Sequence, residues 1–228
     1  MAFGMQTASG DFRDIVKYDA RAGRMFRVDK DTNGDKSQSE IPPGTQFALD
    51  LFTFEAGFVS FGPQGPVRHM VPYGGPGTQL PPAPAEKDDT GKLMFRPGFW
   101  CLIAGNAIGG VREWCSNAAV LLNAMDDLWS KVSAAPEAAA GKVPLVAISG
   151  TTPVTSGRGT TKSTNYGPIF SVTGWVPRPE QFGPATVTLG SRAPASAAPP
   201  PPVRQAAPVA PPPASPPPSA AAPAEMPF

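Results

Sequence analysis

Of the 36 residues from 193 to 228, 26 are proline or alanine, and Arg204 and Glu225 are the only charges among them. Such a segment has almost nothing to bury and cannot offset the entropy of ordering its backbone. It is expected to be a disordered tail, biased by its proline runs toward an extended polyproline II spacer. Whatever folds must therefore be built from residues 1–192, which are expected to form one domain. Inside that domain a second Pro/Gly-rich stretch, residues 62–91, shows no apolar periodicity. Thirty residues without a pattern are long for a connection, and such loops tend to be functional or mobile.

The remaining pattern is mostly that of strands. Residues 24–29 alternate, and residues 47–55 are rich in β-formers. Phe47, Leu49 and Leu51 fall on one face of the second run, and Phe52 and Phe54 on the other. Residues 57–61 continue the sheet after a bend. Residues 93–104 read as a strand interrupted at Pro97-Gly98, where a bulge or an edge is expected. Residues 145–149 and 169–176 are two more strands, joined by a stretch full of turn residues. One helix stands out. Ser116 or Asn117 can cap it, Leu121, Met125, Leu128 and Val132 line one face with Leu122 and Trp129 beside them, and Pro136 lies just past its end. The fold class expected is mainly β with one helix. The order of elements, with the only substantial helix between the third and fourth strands, is that of a five-stranded oligonucleotide-binding (OB) barrel. A β-sandwich with a helix in one connection reads similarly.

Several chemistries are disfavoured. No stretch approaches the roughly 20 apolar residues of a membrane-spanning helix. The first residues lack the basic and apolar regions of a secretion signal, so a cytoplasmic location in a bacterial host is expected. Cys101 and Cys115 are expected to be reduced thiols, with a single bridge between them as the alternative. With one histidine, His69, and two scattered cysteines, a zinc site is not expected. No nucleophile has an evident base partner, so neither an enzyme nor a cofactor is expected.

Two loops resemble ligand-binding motifs. Asp29, Asp31, Asn33, Gly34, Asp35 and Glu40 match the spacing of a calcium loop, which needs oxygen ligands around a tight glycine turn. However, Ile41-Pro42-Pro43 forbids the exit helix, and a polar turn in a hairpin is the competing reading. Residues 156–163, SGRGTTKS, fall short of a phosphate-binding P-loop because Thr161 stands where glycine must precede the lysine. Arg158 and Lys162 on that loop remain suited to backbone phosphates.

Charge is unevenly spread along the chain. Residues 13–30 hold six basic and three acidic residues, a net of +3, and residues 142–192 hold five basic residues and one acidic, a net of +4. Aromatic residues are interleaved with both segments, as binding of single-stranded nucleic acid requires. Arg24, Arg27, Lys30, Arg158 and Lys162 are the candidates for phosphate contact, and Tyr18, Phe99, Trp100 and Tyr166 for base stacking.

The last residues, Glu225-Met226-Pro227-Phe228, resemble the tip of bacterial single-stranded-DNA-binding proteins. Those are OB folds with a disordered linker ending in an acidic run and Ile-Pro-Phe. Here Met replaces Ile and Glu225 is the only acid. The resemblance implies that Met226, Pro227 and Phe228 recruit replication or repair proteins, an apolar anchor and a carboxylate being captured together. The body, over roughly residues 15–182, is similar to an uncharacterised family of phages and prophages. The likeness rests on KYDARAGRMFRVD, FALDLFTFEAGFVSF, the RPGF stretch followed by REW, and VPLVAISGTTPV with NYGPIFSVTGWVPRP. Together they imply a protein that binds single-stranded DNA in phage-type replication, recombination or repair. The alternatives are a phage structural or assembly β-domain tethered by its tail, and a calcium-binding β-domain.

Overall fold

The computed structural model describes residues 14–63 and 65–189. The tail expected over 193–228, with Met226, Pro227 and Phe228, lies outside the described residues, as does the chain before Asp14. What is described is mainly β, with one substantial helix and a curled, open sheet resembling half a barrel.

In chain order the strands are β1 (Ile15–Asp19), β2 (Arg24–Lys30), β3 (Lys36–Ile41), β4 (Gln46–Leu49), β5 (Glu55–Gly62), β6 (Gly65–Pro72), β7 (Arg96–Gly105), β8 (Gly110–Ser116), β9 (Lys142–Ser156) and β10 (Ser163–Pro177). Helices α1 (Ala119–Val132) and α2 (Pro136–Ala139) lie between β8 and β9. The sheet runs β10-β9-β4-β7-β8-β1-β2-β3. β5 lies along the same edge of β7 as β4 and carries β6 on its outer side. β1 and β8 run parallel, and the other pairings are antiparallel.

Burial of one face explains the strands that alternation marks. Phe99, Cys101 and Ile103 of β7, Trp114 of β8, Phe47 and Leu49 of β4, and Val146 of β9 are all buried. Trp114 is the centre of this layer, meeting Phe47, Phe99 and Phe170 edge-on with ring centroids 5.9, 5.7 and 6.0 Å away. The helix buries Leu121, Met125, Leu128, Trp129 and Val132, the stripe its spacing predicts. It begins slightly later than expected: Ala118 is the cap residue, and Ser116 Oγ accepts the Ala118 N–H at 3.2 Å. Pro136 starts α2, at a first helical position where its missing N–H costs nothing.

Ten strands stand where five were expected. The segment 62–91 has no apolar period, yet its first part is β6, paired along its whole length with β5. Most of β6 is exposed on both faces, so no alternation marks it, and its prolines sit on an outer strand, where proline is tolerated. The turn-rich residues 151–167 are largely paired too, in a ribbon made by the outer halves of β9 and β10. At Pro97-Gly98 the strand is continuous: both residues pair with β5, and β8 pairs only from Phe99 onward.

The run 47–55 is broken. Residues 50–54 leave the strand between β4 and β5, yet Asp50, Leu51, Phe52, Thr53 and Phe54 are all buried. Asp50 has no exposed surface, and its carboxylate holds this break together. It accepts from Arg178 through Nε at 2.9 Å and Nη2 at 2.7 Å, from the Phe52 N–H at 3.1 Å and from the Thr53 hydroxyl at 2.7 Å. Arg178 also donates to the Gly183 carbonyl at 2.6 Å and lies between the rings of Phe52 and Phe182. The chain after β10 is drawn across the break, where Thr186 and Val187 donate to the Phe52 carbonyl. Removing one member of a buried ion pair leaves its partner uncompensated. Asp50→Ala is therefore expected to cost about 3–5 kcal/mol in urea unfolding. A loss below about 1 kcal/mol, the scale of a surface pair, would show that this ion pair does not hold the break.

Candidate nucleic-acid interface

β9 and β10 form a hairpin arm. Their inner halves belong to the sheet, where Val143, Pro144, Val146 and Ala147 are buried, whereas residues 151–160 are all exposed. The ribbon stays in register out to Ser156 and Ser163, with the Thr155 and Thr164 hydroxyls 3.1 Å apart across it. Arg158 and Lys162 stand at its exposed tip. There Gly157 (φ 88°) and Gly159 (φ 55°) take the left-handed conformations that turn the chain. No Asp or Glu occurs between Glu137 and Glu180, so no carboxylate on the arm offsets those cations.

The arm is fixed at its foot by the turn between β1 and β2. Tyr166 N–H donates to the Ala20 carbonyl at 2.6 Å, and the Tyr18 hydroxyl donates to the Tyr166 carbonyl at 2.8 Å. Burial, assisted by the charge of Asp19, pushes the Tyr18 hydroxyl up to about 12, which keeps it a proton donor. Gly23 (φ 66°) completes the contact, because a Cβ there would come within 3.0 Å of Tyr166 Cβ. Two expected stacking residues are thus placed differently. Tyr166 is half-buried at the foot of the arm, while Tyr18 is only 6% exposed and is a core residue. Tyr18 is out of reach of a base.

Arg24, Arg27 and Lys30 lie on the β2–β3 hairpin. Arg24 pairs with Glu40 across it at 3.0 Å, and Arg27 with Asp29 at 3.2 Å. Lys30 is exposed at its end. This hairpin also holds the five calcium candidates and disperses them. Asp29 faces the buried Arg112, which also approaches Asp14 at 3.8 Å and donates to the Val28 and Ile108 carbonyls. Glu40 is engaged with Arg24. Asp31 turns back on its own loop, accepting the N–H groups of Asn33 and Asp35 at 2.9 and 2.8 Å. Among the described residues no three His, Cys, Asp or Glu side chains are grouped to hold a metal ion.

The outer face of β7 and β8 carries a third group. Phe99 points inward, 2% exposed and stacked on Phe54 at 5.5 Å, so it too is core and not interface. Trp100, its neighbour, points outward. Its Nε1 donates to Glu113 at 3.1 Å, and the Arg68 guanidinium lies 4.8 Å over its ring and 3.7 Å from Glu113. Trp100 and Glu113 border a groove of about 310 Å³, which Glu55, Leu102, Phe182 and Thr186 also line. Arg68 has no sequence signal of its own because β6, which carries it, has none. Cys115, on the same face, is pushed up to about 12 mainly by burial, and the buried Cys101 is raised well above the usual thiol range. Neither thiol is ionised near neutral pH, and the structure has both free.

Of the expected residues, Arg158 and Lys162 stand on the arm tip, Arg24 and Tyr166 at its foot, Arg27 and Lys30 further along β2, and Trp100 on the β7–β8 face, where Arg68, which was not expected, joins it. Comparison with family models, with curated proteins and with solved structures gave no match.

The carboxyl of Glu55 is raised above its ordinary value, first by burial and then by Glu113, with Arg68 opposing. The folded chain thus keeps this proton to higher pH than the unfolded chain. Its contribution favours folding below the unfolded carboxyl range, about 4.3, and is lost as pH rises through the folded value. Glu55→Gln is expected to raise the melting temperature at pH 7 and to leave it unchanged near pH 4 (about the unfolded value). An equal shift at both pH values would contradict this origin.

Proposed function

We propose that this protein binds single-stranded DNA, in a phage- or prophage-type replication, recombination or repair setting. The observation that carries the reading is the acid-free β9–β10 arm with Arg158 and Lys162 at its tip. Hydroxyls of Thr151, Thr152, Thr155 and Thr164 line its exposed length, and such groups also donate to phosphate oxygens. Cations tracking a backbone, with aromatic rings nearby for stacking, are the general solution for single strands.

The strand order supports an OB-type reading. β4 and β5 act together as one bent strand, followed by β7, β8, α1, β9 and β10. β4 pairs with both β7 and β9, β7 with β8, and β9 with β10. Four antiparallel steps leave β8 and β10 running the same way; β1 pairs with β8, and its Tyr18 hydroxyl donates to the Tyr166 carbonyl of β10. In OB folds the face of the second and third strands binds oligonucleotides, together with the first–second and fourth–fifth connections. Here that face carries Trp100 and Arg68, and those connections are the long segment 63–95 and the tip of the arm. The Met226–Phe228 tip is proposed to recruit partner proteins on its sequence resemblance alone.

A second reading, self-assembly through β9 and β10, is favoured by the exposure of Val154, Ile169 and Val172, at 46%, 48% and 39%. Oligo-dT binding across a salt series separates the two. The expected result is affinity that falls steeply with salt, with duplex a poor competitor. Arg158→Ala with Lys162→Ala is expected to reduce the log–log salt slope by about 1.4, since each phosphate neutralised on a single strand adds about 0.7. The melting temperature is expected to stay unchanged. No binding at low salt, together with concentration-dependent oligomers in sedimentation, would overturn DNA binding in favour of assembly.

A further inference from the structure

At the foot of the arm, between the β1–β2 turn, the β3–β4 connection and β9, lies a cavity of about 320 Å³. That is about ten times the share of one water molecule in the liquid, about 30 Å³, and on the scale of small-ligand pockets. Its floor is apolar and well buried: Met25 is 4% exposed, Ile41 5% and Phe47 1%. Its mouth is polar. Arg24 and Glu40 face each other there at 3.0 Å, with side chains 59% and 39% exposed. An ion pair so open to solvent gains little from closure, so a ligand can engage both ends at small cost.

An apolar slot with one guanidinium and one carboxylate at its rim suits a flat heterocycle with acceptors and donors along one side. Guanine presents O6 and N7 to a guanidinium, the commonest specific contact of arginine with a base. Guanine is also the base with two adjacent donors, N1–H and the N2 amino group, that a carboxylate accepts together. We infer that the groove at the foot of the β9–β10 arm holds one unstacked guanine of a bound single strand, read by Arg24 and Glu40. This rests on the single-strand reading above. It adds a base preference that the cations and hydroxyls of the arm do not provide.

The test uses the full chain and dT oligomers of about 16 nucleotides, the upper range for one such domain, with a single central dG, dA or dC. The dG oligomer is expected to bind about tenfold more tightly than dT alone, the scale of one well-made base-edge contact. Glu40→Ala is expected to bring that ratio to within about twofold while dT binding is kept or strengthened, because an anion has been removed. Glu40→Gln, which retains one acceptor oxygen, is expected to keep part of the preference. Salt-dependent dT binding without a dG preference would overturn this inference and leave the DNA-binding reading standing. A preference that survives Glu40→Ala would also overturn it. Failure of every oligomer to bind would overturn both.

Discussion

Asp50 is buried completely, and its carboxylate sits where the backbone leaves β4. A charge in that position is tolerated only with full pairing. Arg178 supplies two hydrogen bonds, and the Phe52 N–H and Thr53 hydroxyl supply two more. The consequences spread outward. The break lets one stretch of chain pair with β9 and the far end of β7, then bend and pair with the near end of β7 and with β6. The same pair pulls the chain after β10 back over the break, where Phe182 and Leu189 become buried. Leu102 of β7 is covered on its outer side by this segment, and the groove beside Trp100 takes one wall from it.

A second buried cation performs a related task on the other side of the sheet. Arg112 is 2% exposed and ties β8 to β2 through Asp29 and the Val28 carbonyl. The N-terminal hairpin is held there at one end and at Tyr166 at the other. The hairpin thereby fixes the foot of the arm, beyond which residues 151–160 are exposed. Among the described residues the curled sheet extends into this exposed ribbon, and no Asp or Glu lies along it.

How much of this the sequence discloses depends on whether a segment has one buried face. The stripe of Leu121, Met125, Leu128 and Val132 and the alternation in 24–29 are readable because their period reports burial. β6 and the outer arm carry turn residues and no buried face, so their pairing depends on neighbours that local pattern does not encode. The break at Asp50 is hidden inside an unbroken run of β-formers. Its one trace in the sequence is a lone carboxylate among aromatic residues, which demands a distant cation. Aromatic composition likewise does not say which way a ring points. Phe99 and Trp100 are adjacent and therefore lie on opposite faces, so only one of the two could serve an interface. Tyr18 is core for the same reason, since it shares its inward face with Val16. In the triplet Arg112-Glu113-Trp114, the inward Trp114 places Arg112 inside and Glu113 outside, an alternation legible in the sequence once Trp114 is assigned to the core.

The proposed function converges on the arm, since it carries basic residues and no acid, whereas several basic residues elsewhere are paired with acids, as in Arg24–Glu40, Arg112–Asp29 and Arg178–Asp50. The most direct measurement therefore removes the basic outer part of the arm and nothing else. Residues 155–164 would be replaced by Asn-Gly, joining the cross-strand partners Val154 and Asn165 by a two-residue hairpin turn. Binding of oligo-dT and the melting temperature would be measured on the same protein. The expected result is an unchanged melting temperature with single-strand binding abolished. Retention of full, salt-dependent binding by a folded, armless chain would contradict the central claim.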